Sequence, residues 1–145
     1  LDDPAALADS LPSWQPFREV RGSLEDARAR GWRLAILSNT DPDYIAASKE
    51  LIGAPFDETV VASDIGSYKP AHGHWEEFFR RTGTDRATHV HVAASLFHDI
   101  APANELGLRS VWINRLDERA ERTMPDRELP DLDGLADVLD QLVPA

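Results

Sequence analysis

The sequence predicts an α/β domain with a mainly parallel sheet flanked by helices, and three observations predict it. Short apolar runs recur along the chain and alternate with segments of helical period, the pattern of strand–helix units. Three polar groups, Ser38, Lys69 and Asp99, each follow such a run at steps of 31 and 30 residues. Each step is about one strand–helix unit, so all three can end at the same edge of one parallel sheet. The 145 residues, with a 42% hydrophobic fraction and four Trp, are enough to bury a core.

Taken in order, residues 1–18 hold three prolines and little periodicity, with Trp14 and Phe17 as candidate anchors. Val20, Leu24 and Ala27 then recur at helical spacing, and Gly31 is placed to stop that helix. Residues 33–37 form an apolar strand suited to a sheet covered on both faces. Asp41-Pro42 is a helix start, with Asp as cap and Pro in the first turn. Ile45, Ser48, Leu51 and Ile52 give its face, ending near Gly53. Thr59–Ala62 is the second strand. A helix from Gly73 to Arg81 carries Trp75, Phe78 and Phe79, and Gly83 stops it. His89–Ala93 is the third strand, Ile100–Leu106 a helix, and Ser110–Asn114 the fourth and last clear strand. Residues 115–130 are polar and read as a loop. Leu132, Leu135, Val138, Leu139 and Leu142 make a terminal amphipathic helix with Asp131 as its cap. The expected division is a lead-in at 1–16 and an α/β core at 17–145.

Composition excludes several functions. Fifteen basic against 26 acidic residues leave a formal charge of −11, which opposes binding to nucleic acid or to an anionic membrane. With no cysteine, disulfides, thiolate zinc sites, iron–sulfur clusters and a Cys nucleophile are ruled out. That usage fits a cytoplasmic protein. Leu1-Asp-Asp-Pro4 has no signal-peptide pattern, and no apolar run reaches the roughly 18 residues of a membrane span. A chain starting at Leu hints at processing or an omitted N-terminal part.

The chemistry-bearing candidates lie where the strands end. Ser38, Asn39 and Thr40 place hydroxyl, amide and backbone N–H groups where a phosphoryl or carboxylate oxygen could bind; the same residues also suit an ordinary strand-to-helix turn. Lys69, in Ser67-Tyr-Lys-Pro70, could neutralise an anionic substrate, whereas most loop lysines are merely solvated. Asp99 could orient that lysine by an ion pair or bind a cation, or simply cap a helix. His72-Gly-His74 and His89-Val-His91 are spaced for a metal site, although incidental histidines are commoner. His98 is a candidate for lining a pocket. The four Trp read as packing residues.

In combination, Leu37-Ser-Asn-Thr40, Tyr68-Lys-Pro70 and Ser95-Leu-Phe-His-Asp-Ile100 with Ala103-Asn-Glu-Leu-Gly-Leu108 resemble three signature segments of the haloacid dehalogenase-like hydrolases. The resemblance spans residues 17–116. It implies a Rossmann-like parallel sheet whose first, central strand and most of whose cap are missing, with 1–16 a remnant of cap and linker. It further implies that Ser38, Asn39, Thr40 and Ser95 bind substrate, and that Lys69 and Asp99 are catalytic. The implied reaction is hydrolysis of a phosphate ester or 2-halo acid through an aspartyl intermediate.

Two departures accompany the resemblance. No apolar strand ending in the family's nucleophilic aspartate precedes Ser38, and Asp2 and Asp3 have no such strand to place them. The chain alone is therefore expected to be inactive, with a complementing N-terminal segment or a homodimer covering the gap. Ala94 occupies the position of the acid that usually helps bind Mg²⁺, which weakens that cofactor and leaves Asp99 as the candidate ligand. The alternative reading is a noncatalytic anion-binding or interaction module of the same fold. A nucleotide-binding domain lacks the support of a glycine-rich phosphate loop.

Overall fold

The computed structural model describes residues 15–145; the expectations for Asp2, Asp3, Trp14 and nearly all of the 1–16 lead-in lie outside the described residues. Helix α1 (Val20–Ala29) leads to strand β1 (Ala35–Ser38) and helix α2 (Pro42–Ile52). Pro42 opens α2 as expected, but the Asp41 side chain makes no capping bond. The helix ends at Gly53 with φ 71°, a left-handed value that favours glycine. Strand β2 (Glu58–Val61) runs directly into a single helical turn, α3 (Ala62–Ile65), which the periodicity does not announce. Helix α4 (Gly73–Thr82) and strand β3 (Val90–Ala93) follow. A π-helical turn (Leu96–Ile100) then passes into the short helix α5 (Ala101–Glu105). Strand β4 (Arg109–Ile113), strand β5 (Arg127–Leu129) and helix α6 (Leu135–Leu142) complete the chain.

Two sequence expectations are corrected here. Residues 115–130 are not wholly a loop, because Arg127–Leu129 pairs in parallel with Val111–Ile113 as a fifth strand. Asp131 does not cap the terminal helix. Its carboxylate accepts from the Asp133 N–H at 2.8 Å, making a turn of its own, and α6 starts after Gly134. Phe17 anchors by its face rather than by burial: it is 63% exposed, with the Arg115 guanidinium 3.8 Å above the ring.

All pairings are parallel, in two pieces. β1 pairs with β2 from Ala35↔Glu58 to Ser38↔Val61. β3, β4 and β5 form the second sheet in that order. Among the described residues no ladder joins β1 to β3. The burial of the strands follows this break. Every residue of β1 is only half-buried despite its apolar sequence, whereas four of the five residues of β4 are buried.

Packing covers both faces of the β3–β5 sheet. On one side Val111 and Ile113 meet Ala27 of α1 and Leu135, Ala136 and Leu139 of α6, with Trp32 and Leu34 around them. On the other, Trp75 of α4 packs with Ala103 and Leu108. Arg30 ties α1 to α6 through Asp137 at 2.6 Å and Asp140 at 3.2 Å. Trp75 is fully buried and Trp112 1% exposed, while Trp32 is half-buried and donates its indole N–H to Asp140. Helix α4 packs on β1 and β2, and its Trp75 also touches His91 of β3, so one helix straddles the break.

Candidate functional site

The strand ends bring Ser38, Asn39, Lys69 and Asp99 to one place. The Asn39 side chain grips the backbone of Lys69 twice: its Nδ2 donates to the Lys69 carbonyl at 3.1 Å, and its Oδ1 accepts the Lys69 N–H at 2.8 Å. The Lys69–Pro70 peptide is cis. With its backbone held by Asn39, Lys69 extends its ammonium to Asp99 Oδ1 at 2.7 Å, the two side chains being only 11% and 9% exposed. Charge-assisted bonds of this kind strengthen as water is excluded.

Asp99 is not a helix cap. It lies inside the π-helical turn, whose cap is Ser95, the Oγ of which accepts the His98 N–H. Its carboxylate instead receives two donors on Oδ1, Lys69 and the Nε2 of His91 at 2.9 Å. Burial pushes the Asp99 carboxyl up, but the His91 hydrogen bond and the Lys69 charge outweigh it and hold the group below its ordinary value. The site therefore keeps a buried carboxylate–ammonium pair.

Ser38 Oγ lies 2.6 Å from Thr40 Oγ1 and also accepts the Thr40 N–H at 3.1 Å. The Ser38 carbonyl accepts from His74 Nε2 at 2.8 Å. Ser95 Oγ bonds His98 Nδ1 at 2.9 Å, on a turn where Phe97 is 66% exposed. Tyr68, next to Lys69, is exposed as well.

The two H-x-H pairs turn to different partners, although the His89 and His91 rings stay stacked with centroids 6.2 Å apart. His72 bonds Glu105 on the surface and His74 bonds Ser38, while His89 sits against Phe78 and Phe79 and His91 serves Asp99. Among the described residues no three His, Asp or Glu side chains are grouped to hold a metal. The donor set near Asp99 does not suit Mg²⁺, because it comprises one carboxylate whose Oδ1 already takes two donors, beside Ala94. The contact that sequence reasoning missed is the one from His91 to Asp99. His91 carried a visible signal as half of an H-x-H pair, but nothing in the sequence shows that its partner is Asp99.

The lysine–aspartate pair thus lies at the carboxyl edge of a parallel α/β sheet, the edge at which such sheets bind ligands. No family model matches the chain. It is 30% identical over 140 residues to the (S)-2-haloacid dehalogenase of Pseudomonas sp. (strain YL), covering 94% of this chain and 60% of that protein. It is 28% identical over 126 residues to the glyceraldehyde 3-phosphate phosphatase of Methanothermobacter thermautotrophicus, covering 86% and 56%. The crystal structure of a HAD phosphatase from Thermococcus onnurineus superposes with a TM-score of 0.80 at 29% identity, covering 96% of this chain and 66% of that one. The chain belongs to the haloacid dehalogenase-like superfamily. It spans about 60% of the length of the curated relatives it matches.

Proposed function

We propose that this chain is the core of a cytoplasmic hydrolase acting on a small anionic substrate, a 2-halo acid or a phosphate ester. The observation that carries this reading is the buried Lys69–Asp99 pair. It is held against the end of β1 by Asn39, the residue between Ser38 and Thr40, whose hydroxyls bond each other. A fixed ammonium and nearby donors are what a developing anion needs. The carboxylate bonded into this cluster, Asp99, is already engaged on Oδ1 by Lys69 and His91. We assign the role of nucleophile to an aspartate on a strand lying in the break between β1 and β3. Its oxygen attacks the substrate carbon or phosphorus, halide or alkoxide leaves with the bonding electrons, and water then cleaves the aspartyl ester or acyl phosphate. Ser38 and Thr40 line the substrate side, with Ser95 on the neighbouring turn, while Lys69 balances the charge.

The test supplies the strand. The chain is assayed alone and with a synthetic apolar peptide ending in Asp-x-Asp, following chloride release from 2-chloropropionate and phosphate release from p-nitrophenyl phosphate. Background rates for the chain alone, product release with the peptide, and none with its Asn-substituted control are the expected results. Release by the chain alone would sink the placement of the nucleophile. Tight peptide binding with no turnover of either substrate would favour a noncatalytic binding module.

A further inference from the structure

We propose that His91 and Trp75 are positioning residues that fix Asp99, and through it Lys69, in the candidate site. The Trp75 indole N–H points at His91 Nδ1 at 3.3 Å, with the rings edge-on at 5.0 Å and 61°. An indole N–H can only donate, so Nδ1 must be the accepting nitrogen. The neutral ring then carries its proton on Nε2, 2.9 Å from Asp99 Oδ1, and donates it there. Lys69 Nζ reaches the same oxygen at 2.7 Å. Four side chains from four segments thus form one directed series: Trp75 of α4 to His91 of β3 to Asp99 of the π-helical turn, which Lys69 closes from its loop.

Burial gives the series its force. Trp75 is fully buried and His91 6% exposed, so water does not compete for these bonds. His91 is the donor that keeps Oδ1 turned towards Lys69 rather than free to rotate. Trp75 prevents the ring from presenting its lone pair to the carboxylate, a tautomer that would set acceptor against acceptor. A merely packed histidine on this strand would need neither the indole behind it nor the carboxylate ahead of it.

This inference rests on the proposed site, but its readouts need no turnover, so it can fail while the proposed reaction stands, and the reverse. Long-range nitrogen–proton NMR of the intact ¹⁵N-labelled chain at neutral pH should show His91 as the Nε2–H tautomer. An Nδ1–H ring overturns the proposal, and so does a His91 Nδ1 chemical shift unmoved by Trp75→Phe, which removes the donor to that nitrogen. The second readout exploits the chain's having only two lysines, Lys49 and Lys69. Acylation of Lys69 relative to Lys49, read by mass spectrometry, should rise about tenfold or more in His91→Leu, the effect of losing one hydrogen bond to a charged group. It should stay near the native ratio in His91→Gln, whose amide N–H₂ can still donate to Asp99. An unchanged ratio in folded His91→Leu overturns the link to Lys69. Should His91→Leu not fold, the tautomer of the native chain decides.

Discussion

Lys69 and Asp99 were legible in the sequence because each ends a strand-and-loop unit at nearly equal spacing. Their energetics depend on burial, which spacing does not report. Asp99→Asn leaves the Lys69 ammonium, 11% exposed, without its counter-charge, and should lower the unfolding free energy by about 3–5 kcal/mol. In denaturant titrations, adding Lys69→Met to that variant should cost less than the sum of the two single changes, since the second removes a charge already stranded. Asn39 was read as a substrate contact, yet its amide is engaged on the Lys69 backbone. The histidines set a pH dependence. Burial holds His89 down at about 4 from an ordinary 6.5, and His74 is lowered by the same cause against the opposing Ser38 hydrogen bond. Between those values the unfolded chain binds more protons than the folded one. The stability from His89 is therefore fully present above about pH 6.5 and is lost as pH falls towards 4. The loss should be about 3 kcal/mol, and His89→Phe, placed against Phe78 and Phe79, should flatten the slope in thermal unfolding.

At the scale of elements, apolar periodicity located the helices and strands because each buries one stripe or face against a neighbour. It failed where another force governs. β5 is three residues, Arg-Glu-Leu, with one apolar side chain, and only its pairing with β4 makes it a strand. The start of α6 shifted because Asp131 closes a turn on Asp133 instead of capping. Helix α4 shows how tightly an element can hold a site. A Cβ on Gly73, its first residue, would lie 2.5 Å from Ser67 Oγ and 2.6 Å from Ser67 Cβ. Ser67 stands two residues before Lys69, so Gly73→Ala should push the lysine loop as well as the helix. We expect a loss of about 1–3 kcal/mol, the usual effect of overpacking. Ser67→Gly in the same chain should recover most of it, as differential scanning calorimetry would show.

For the whole molecule, the break in the sheet is the dominant feature. Leu34 turns both its backbone groups towards the β2 side, donating to the Asp57 carboxylate at 2.8 Å and accepting the Asp57 N–H at 2.7 Å. Alternation along a parallel strand then aims the N–H groups of Ala35 and Leu37 at the break. Those two amides should exchange with deuterium on the order of 100-fold faster than Val111 and Trp112 in β4. A strand peptide that enters the break should slow them selectively. Equal protection in the isolated chain would mean that something already pairs with that edge. By itself the sequence determined the α/β class, the order of most elements and the candidacy of Ser38, Lys69 and Asp99, because strand and helix periods and the reach of a strand–helix unit are local properties of the chain. Only the tertiary structure decided that Asp99 answers to His91 and Trp75, that Asn39 clamps Lys69, and that the sheet is divided beside β1. Those facts are hydrogen bonds between groups 8 to 30 residues apart, or bonds not made at all, and they depend on which faces pack together rather than on any local pattern.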